Sequence, residues 1–232
     1  MFPSNPHLGA TMDQAFSFRA LGYPVSVGWG SVIIMGLYGF MSAGDQVNAM
    51  GLVTAILGGV VFGASILVHE LGHAVAANRL GLSVQGIRLH GLGGHCDYNG
   101  HTTNGRRLLI ALAGPAAGLA LGALAIAAQQ TVLAAVPGIP PLIYRLVGLL
   151  IWVNLFWSLF NLLPMIPLDG GSAMQNALRL RLKARRAAEA AKWVSLVTAG
   201  IVGIAALSMG MRIIFLFAAM SFYTAWTGKR II

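Results

Sequence analysis

Apolar and polar positions along this chain fall into long blocks, not into the two- or three-residue rhythm of a soluble fold. Apolar runs cover about 23–41, 48–78, 108–136, 142–166 and 193–227. About 20 apolar residues span a bilayer core, so each of the first four runs predicts one transmembrane helix. The first lacks a small-residue cleavage pattern after it and reads as a retained signal anchor. The last would measure about 50 Å as one helix, too long for a single crossing. Gly210-Met211-Arg212 interrupts it and divides it in two. The pattern therefore predicts an all-α polytopic membrane protein with about six transmembrane helices. Residues 1–22 are expected to form a cytoplasmic N-terminal tail, and 23–228 a single membrane-embedded domain with its core at 48–172. The sizeable polar segments are two loops, about 80–106 and 168–191.

Composition agrees. Hydrophobic residues make up 57% of the 232 and charged residues only 9%, against roughly 25% charged in an ordinary soluble domain. A typical soluble domain and a disordered chain are both excluded. The net charge of +9 is explained by topology. With both termini in the cytoplasm, 13 of the 15 basic residues fall inside, and Arg145 and Arg212 alone fall outside. That is the positive-inside bias, and an odd number of crossings would spoil it by moving Lys229 and Arg230 outside. No nucleic-acid partner is expected; the partners are a lipid bilayer and a membrane protein. The stretch from Arg179 to Lys192 reads either as a basic helix on an anionic leaflet or as an orientation signal alone. The single cysteine, Cys96, excludes an internal disulfide.

Candidate chemistry lies in the second run. His69-Glu70-Leu71-Gly72-His73 is an H-E-x-x-H sequence. On a helix the two imidazoles share a face and reach one zinc ion, with Glu70 beside them to act on water. Three ionisable groups within five residues of a membrane helix are costly, which points to function. Measured from Arg79, His73 lies about 9 Å and His69 about 15 Å inward, so the metal is expected within the membrane near its cytoplasmic side. A catalytic zinc takes three protein ligands and keeps a position open. The candidates for the third are Asp97, Asp169, His90, His95, His101 and Cys96. Asp169 is preferred. Pro164 and Pro167 break the helix just before it, and broken backbone at membrane depth lines a cavity or is buried in protein.

Three segments together resemble the site-2 protease family of zinc intramembrane proteases. They are the H-E-x-x-H at 69–73, the Ala113-Gly114-Pro115-Ala116-Ala117-Gly118 of the next span, and the N-x-x-P-x-x-P-x-D-G run at 161–170. The resemblance covers about 50–172. It implies that His69, His73 and Asp169 bind one Zn2+, that Glu70 is the catalytic glutamate, and that Asn161 contacts substrate or steadies the oxyanion. It implies hydrolysis of a peptide bond in or near a transmembrane segment of a membrane-protein substrate, with regulated intramembrane proteolysis as the setting. A bacterial or archaeal cell membrane is the expected location. Relatives often carry a PDZ or CBS domain, and neither is expected here. The resemblance also implies a short re-entrant β-hairpin on the cytoplasmic side. Alternation around 84–89 and 95–98, with glycines between, fits two such strands, and Leu92-Gly93-Gly94 leaves an edge for an unwound substrate.

Other features read more plainly. His95 is expected at the surface and Cys96 without a role. Gly114, Gly118 and Gly122, four residues apart, are expected to pack the bundle behind the site. Two rival functions remain at this stage: a zinc-binding membrane transporter, which has no need of Glu70, and an inactive scaffold that binds membrane helices, which has no need of the histidines. Substrate identity and oligomeric state are not legible in the sequence.

Overall fold

The structure, a computed structural model, describes residues 13–228 other than 47 and 92. Leu92 of the expected hairpin edge, Lys229 and Arg230 of the charge count, and residues 1–12 of the expected tail lie outside the described residues.

The first regular element is a hairpin. Strands β1 (Gln14–Ala20) and β2 (Tyr23–Gly28) pair antiparallel about Leu21 and Gly22, at φ 50° and 83°. Val25 and Val27 of β2 are buried and alternate with less buried neighbours, the two-residue period of a strand with one face on a core. Helix α1 (Trp29–Ala43) follows without a break. The apolar run that predicts a crossing from residue 23 is thus a strand and then a 15-residue helix, and the expected tail contributes β1.

Helix α2 (Ala49–Arg79) has 31 residues and starts where Asn48 Oδ1 accepts the Gly51 N–H at 2.8 Å, a side-chain N-cap. It leads into β3 (Ser83–His90) and β4 (Gly93–Asn99), the expected hairpin. That hairpin does not stand alone. The strand order is β1-β2-β3-β4, and β2 runs parallel to β3 with Val25 opposite Ile87 and Val27 opposite Leu89. The all-α expectation with one small hairpin is therefore corrected to a helical bundle plus a four-stranded mixed sheet. Val25, Val27, Ile87, Leu89 and Cys96 pack with Ile66 and Ala74 of α2, which clamps the sheet to the helix bearing the H-E-x-x-H.

Helix α3 (Asn104–Ala128) begins at the Thr103 cap and ends in a π-helical turn, Gln129–Leu133. Helix α4 (Pro141–Asn161) stops five residues short of the expected 166, because the prolines that follow cannot continue the ladder. Helix α5 (Asp169–Arg179) is short, and α6 (Ala184–Ser208) and α7 (Arg212–Thr227) complete the chain. The break between α6 and α7 falls at 209–211, where the sequence places it. The basic stretch from Arg179 is not a separate surface helix: Arg179 closes α5, residues 180–183 turn the chain, and the rest from Ala184 opens α6, which runs on to Ser208.

Burial is inverted relative to a soluble protein. Ile33, Phe40, Ile56, Ile204 and Leu216 are exposed, while Ser31, Thr54, Ser65, Asn154, Ser158, Ser195 and Ser221 are buried. Small and polar residues inside with apolar ones outside is the pattern of helices packed in lipid. Asn154 donates to Ser65 Oγ at 2.9 Å across α4 and α2. Among the described residues four helices are long and apolar enough to cross: α2, α3 with its π turn, α4 and α6. Helices α1 and α7 are apolar but have 15 and 16 residues, about 22 and 24 Å of rise.

Candidate metal centre

Helix α2 brings His69, Glu70 and His73 into the interior at 3%, 5% and 7% exposure, and their nearest ligand atoms lie within 4.8 Å of one another. The two imidazoles stand one turn apart, edge to face, with centroids 5.0 Å apart. His73 Nδ1 lies 2.7 Å from the Ile110 carbonyl. A carbonyl only accepts, so Nδ1 carries the proton and Nε2 is left with a lone pair. Gly114 of α3 makes this possible, since a Cβ there would fall on His73 Nε2.

Asp169 arrives from the far side of the fold. The segment after Asn161 turns through Pro164 and Pro167, and α5 opens on Asp169 itself. Gly170 and Gly171 lie flush on the backbone of this turn: a Cβ on Gly171 would stand 2.6 Å from the Ile166 nitrogen. Asp169 Oδ2 thereby reaches His69 Nε2 at 2.9 Å and His73 Nε2 at 3.3 Å. Bonds of about 2.05 Å in a tetrahedral site give ligand–ligand edges of about 3.3 Å, so the two edges from Asp169 Oδ2 to the imidazole nitrogens are close to those a shared metal would set. His73 Nε2 and the carboxylate are both electron-pair donors, and a cation between them relieves their repulsion. The donor set, two imidazoles and one carboxylate, suits zinc.

The Glu70 carboxylate lies beside the two histidines and under β4. A Cβ on Gly94 would lie 2.6 Å from Glu70 Cδ, so that strand passes directly over the carboxylate. The remaining candidates for the third ligand do not join the histidines. Asp97 is held by Arg88 at 2.6 Å and by His95 at 3.3 Å, and His101 is exposed. Cys96 is buried against α2, and burial, helped by the carboxylates of Glu70 and Asp97, pushes its thiol up to about 12. His95 is largely exposed, at the rim. Asn161, the last residue of α4, is buried; its amide donates to the Trp157 carbonyl at 3.0 Å.

His69, Glu70, His73, Asp169, His95, Cys96 and Asn161 border one cavity of about 840 Å³, which Asp97 and His101 do not line. Its walls include Asp13 and Gln14 at the start of β1, and Phe217, Ser221 and Thr224 of α7. The sequence reading did not single out Ile110 or the α7 residues, and it took Gly94 as part of a substrate edge, not as a neighbour of Glu70. Gly114 is visible within the glycine spacing at 114, 118 and 122, but not its contact with His73. Gly118 and Gly122 do pack the bundle, against Ser158 and Leu155 of α4.

The chain matches the model of peptidase family M50 over residues 57–140 and 140–205. It is 37% identical over 161 residues to a Mycobacterium tuberculosis protein named as the zinc metalloprotease Rip3, covering 66% of this chain and 40% of that protein. A Synechocystis protein named as a zinc metalloprotease is 39% identical over 129 residues, 55% of this chain and 31% of that protein. The chain thus spans well under half the length of these relatives. A second M. tuberculosis protein, Rip2, also named as a zinc metalloprotease, is 30% identical over 208 residues, 72% of this chain and 77% of that protein. The fold matches the solved site-2 protease of Methanocaldococcus jannaschii with a TM-score of 0.61, at 22% identity, over 94% of this chain and 97% of that one.

Proposed function

The chain belongs to peptidase family M50, and from that premise we propose that it is a zinc-dependent endopeptidase that hydrolyses a peptide bond in or near a transmembrane segment of a membrane protein. The observation that carries this reading is Asp169 Oδ2 at 2.9 and 3.3 Å from the Nε2 atoms of His69 and His73, with Glu70 beside them at the wall of the same cavity. His69, His73 and Asp169 hold the zinc. When bound, zinc supplies Lewis acidity, which makes water acidic and a carbonyl electrophilic near neutral pH. Glu70 takes a proton from water on its carboxylate and passes it to the leaving amine nitrogen. Gly94 leaves room for the Glu70 carboxylate where any other residue's Cβ would collide with it. Asn161, at the rim of the same cavity, contacts the substrate or steadies the oxyanion. His73 stays oriented through its Nδ1–H bond to Ile110.

The protein is integral to a membrane. The finer topology belongs to the same proposal: six crossings, with α1 and α7 as the short ones, both termini cytoplasmic, and a bacterial or archaeal cell membrane. Its domain is a single unit, the expected 23–228 together with β1, with the loops near 80–106 and 168–191 facing the cytoplasm. Positive charge concentrated on one side supports this. A helical substrate hides its carbonyls in hydrogen bonds, so cleavage requires local unwinding.

The test is cleavage of single-span substrates by the purified, zinc-loaded protein. Native protein is expected to yield two fragments. Glu70→Gln and chelator-treated protein are expected to yield none, with activity returning to the chelated sample on adding zinc. Fragments from Glu70→Gln at the native rate would overturn the mechanism and favour a transport or scaffold role.

A further inference from the structure

Helix α5 does more than present Asp169. Residues 169, 172, 176 and 179 share one face of it, and all four border the cavity. Asp169 stands at the inner end and Arg179 at the outer. Two polar atoms on this face are buried without a hydrogen-bond partner, Asn176 Oδ1 and Arg179 Nε. Asn176 is 8% exposed, and its amide nitrogen is engaged by the Ser172 carbonyl at 2.8 Å, which leaves the oxygen as a fixed, free acceptor. Among the described residues no carboxylate pairs with Arg179 or with Arg107 of α3, another guanidinium on this cavity, whereas Arg88 is already bound to Asp97. Buried donors and acceptors are paired in the great majority of cases. An orphan acceptor and an orphan cationic donor side by side on a cavity wall therefore mark where an incoming molecule bonds.

We propose that this face of α5 is a substrate subsite, in which Asn176 Oδ1 accepts a main-chain N–H and Arg179 binds an aspartate or glutamate of the substrate. The proposal rests on the endopeptidase reading. A peptide offers both groups the site lacks, an N–H for the amide oxygen and a carboxylate for the guanidinium. A lipid phosphate diester offers no donor to Asn176, and a choline headgroup adds none, so such a lipid suits only half the site. The ten residues from Asp169 to Arg179 rise about 15 Å, and an extended peptide advances about 3.3 Å per residue. The acidic residue accordingly lies about four or five residues from the bond that is cut.

The experiment uses the full-length, zinc-loaded protein in vesicles of zwitterionic lipid. A set of single-span substrates carries one Asp, or the matched Asn, at successive positions on either side of the cut. Cleavage is expected to be fastest with Asp about four or five residues away, by about tenfold in kcat/KM over Asn, as a charge-assisted bond to a partly buried arginine gives. Arg179→Glu is expected to invert the preference, so that Lys at that position is cleaved faster than Asp. Binding of the same peptides to Glu70→Gln, read by fluorescence anisotropy, is expected to show the same order without any cleavage. Equal rates for Asp and Asn at every position, or a preference that survives Arg179→Glu, overturns the subsite while leaving the endopeptidase reading intact. Equal rates with an Arg179→Glu defect that appears only in vesicles containing anionic lipid overturns it in favour of a headgroup site. Failure of the native protein to cut any substrate removes both readings.

Discussion

Replacing Gly114 with alanine puts a methyl group where the His73 ring already lies. The added Cβ would stand 2.8 Å from Cδ2 and closer still to Nε2, against about 3.5–4.0 Å for a relaxed contact. The ring or the helix has to yield by about 1 Å. Helix α3 has little room to retreat, because Gly118 and Gly122 press it against Ser158 and Leu155 of α4. The ring is pinned by its 2.7 Å bond to the Ile110 carbonyl. Metal–ligand distances tolerate about 0.2 Å, so the displacement removes one of three protein ligands. Loss of a mere supporting partner already costs 10–100-fold in metal affinity, and Gly114→Ala is expected to cost about 100-fold or more. Chelator competition on the purified variant measures it, with thermal unfolding as the check on folding. Gly200→Ala on α6 is the control: nothing lies within 4 Å of its added Cβ, and zinc affinity is expected to be unchanged. A Gly114→Ala protein that binds one zinc as tightly as the native chain would show that α3 does not hold His73 where the structure puts it.

Gly94→Ala acts on the other side of the centre. Its Cβ would crowd Glu70 at 2.6 Å, so turnover is expected to fall by about 100-fold, as a 1 Å misplacement does, while zinc, measured by elemental analysis, stays at one per chain. Asn154→Ala removes the bond to Ser65 Oγ; interhelical bonds of this kind are worth about 0.6 kcal/mol and at most about 1.7, a loss readable by denaturant titration in detergent. The Cys96 thiol, raised to about 12 by burial, is above its unfolded value of about 8.5. Alkylation of the folded protein is thus expected to be very slow at pH 8 and to climb about tenfold per pH unit up to about 11. In the denatured chain it is expected to be fast and to level off above about pH 9. Rapid labelling of folded protein at pH 8 would refute the burial of this side chain.

The parts of the site written into local spacing were legible in the sequence. His69 and His73 share a helix face because they are four residues apart, and Asp169 announces itself through the two prolines that stop α4 before it. What the sequence hid are relations between distant segments. The strand β2 lies inside a run of apolar residues, and the two-residue alternation of Val25 and Val27 disappears in a window wide enough to find a membrane helix. Its parallel partner β3 is about 60 residues away, so no hairpin signal joins them. The Ile110 carbonyl is a backbone atom, and its aim at His73 depends on the rotation of α3 about its axis. Gly94 looks like a turn residue until β4 is seen against Glu70. The basic stretch from Arg179 allowed either a surface helix or an orientation signal alone; the structure breaks it at 180–183, and its second part runs on into the apolar half of α6.

The lengths of α1 and α7 carry a consequence for the surrounding lipid. At about 22 and 24 Å they fall short of a hydrocarbon slab roughly 30 Å deep. Acyl chains beside a short apolar helix compress to match it, at a small cost per ångström. If α1 and α7 cross, as proposed, the bilayer dimples where they meet it. A transmembrane helix of ordinary length drifting into that dimple is too long for its surroundings, and one of its ends is pushed toward water. On that proposal the protein's outline would loosen a passing helix before any side chain of the site touched it.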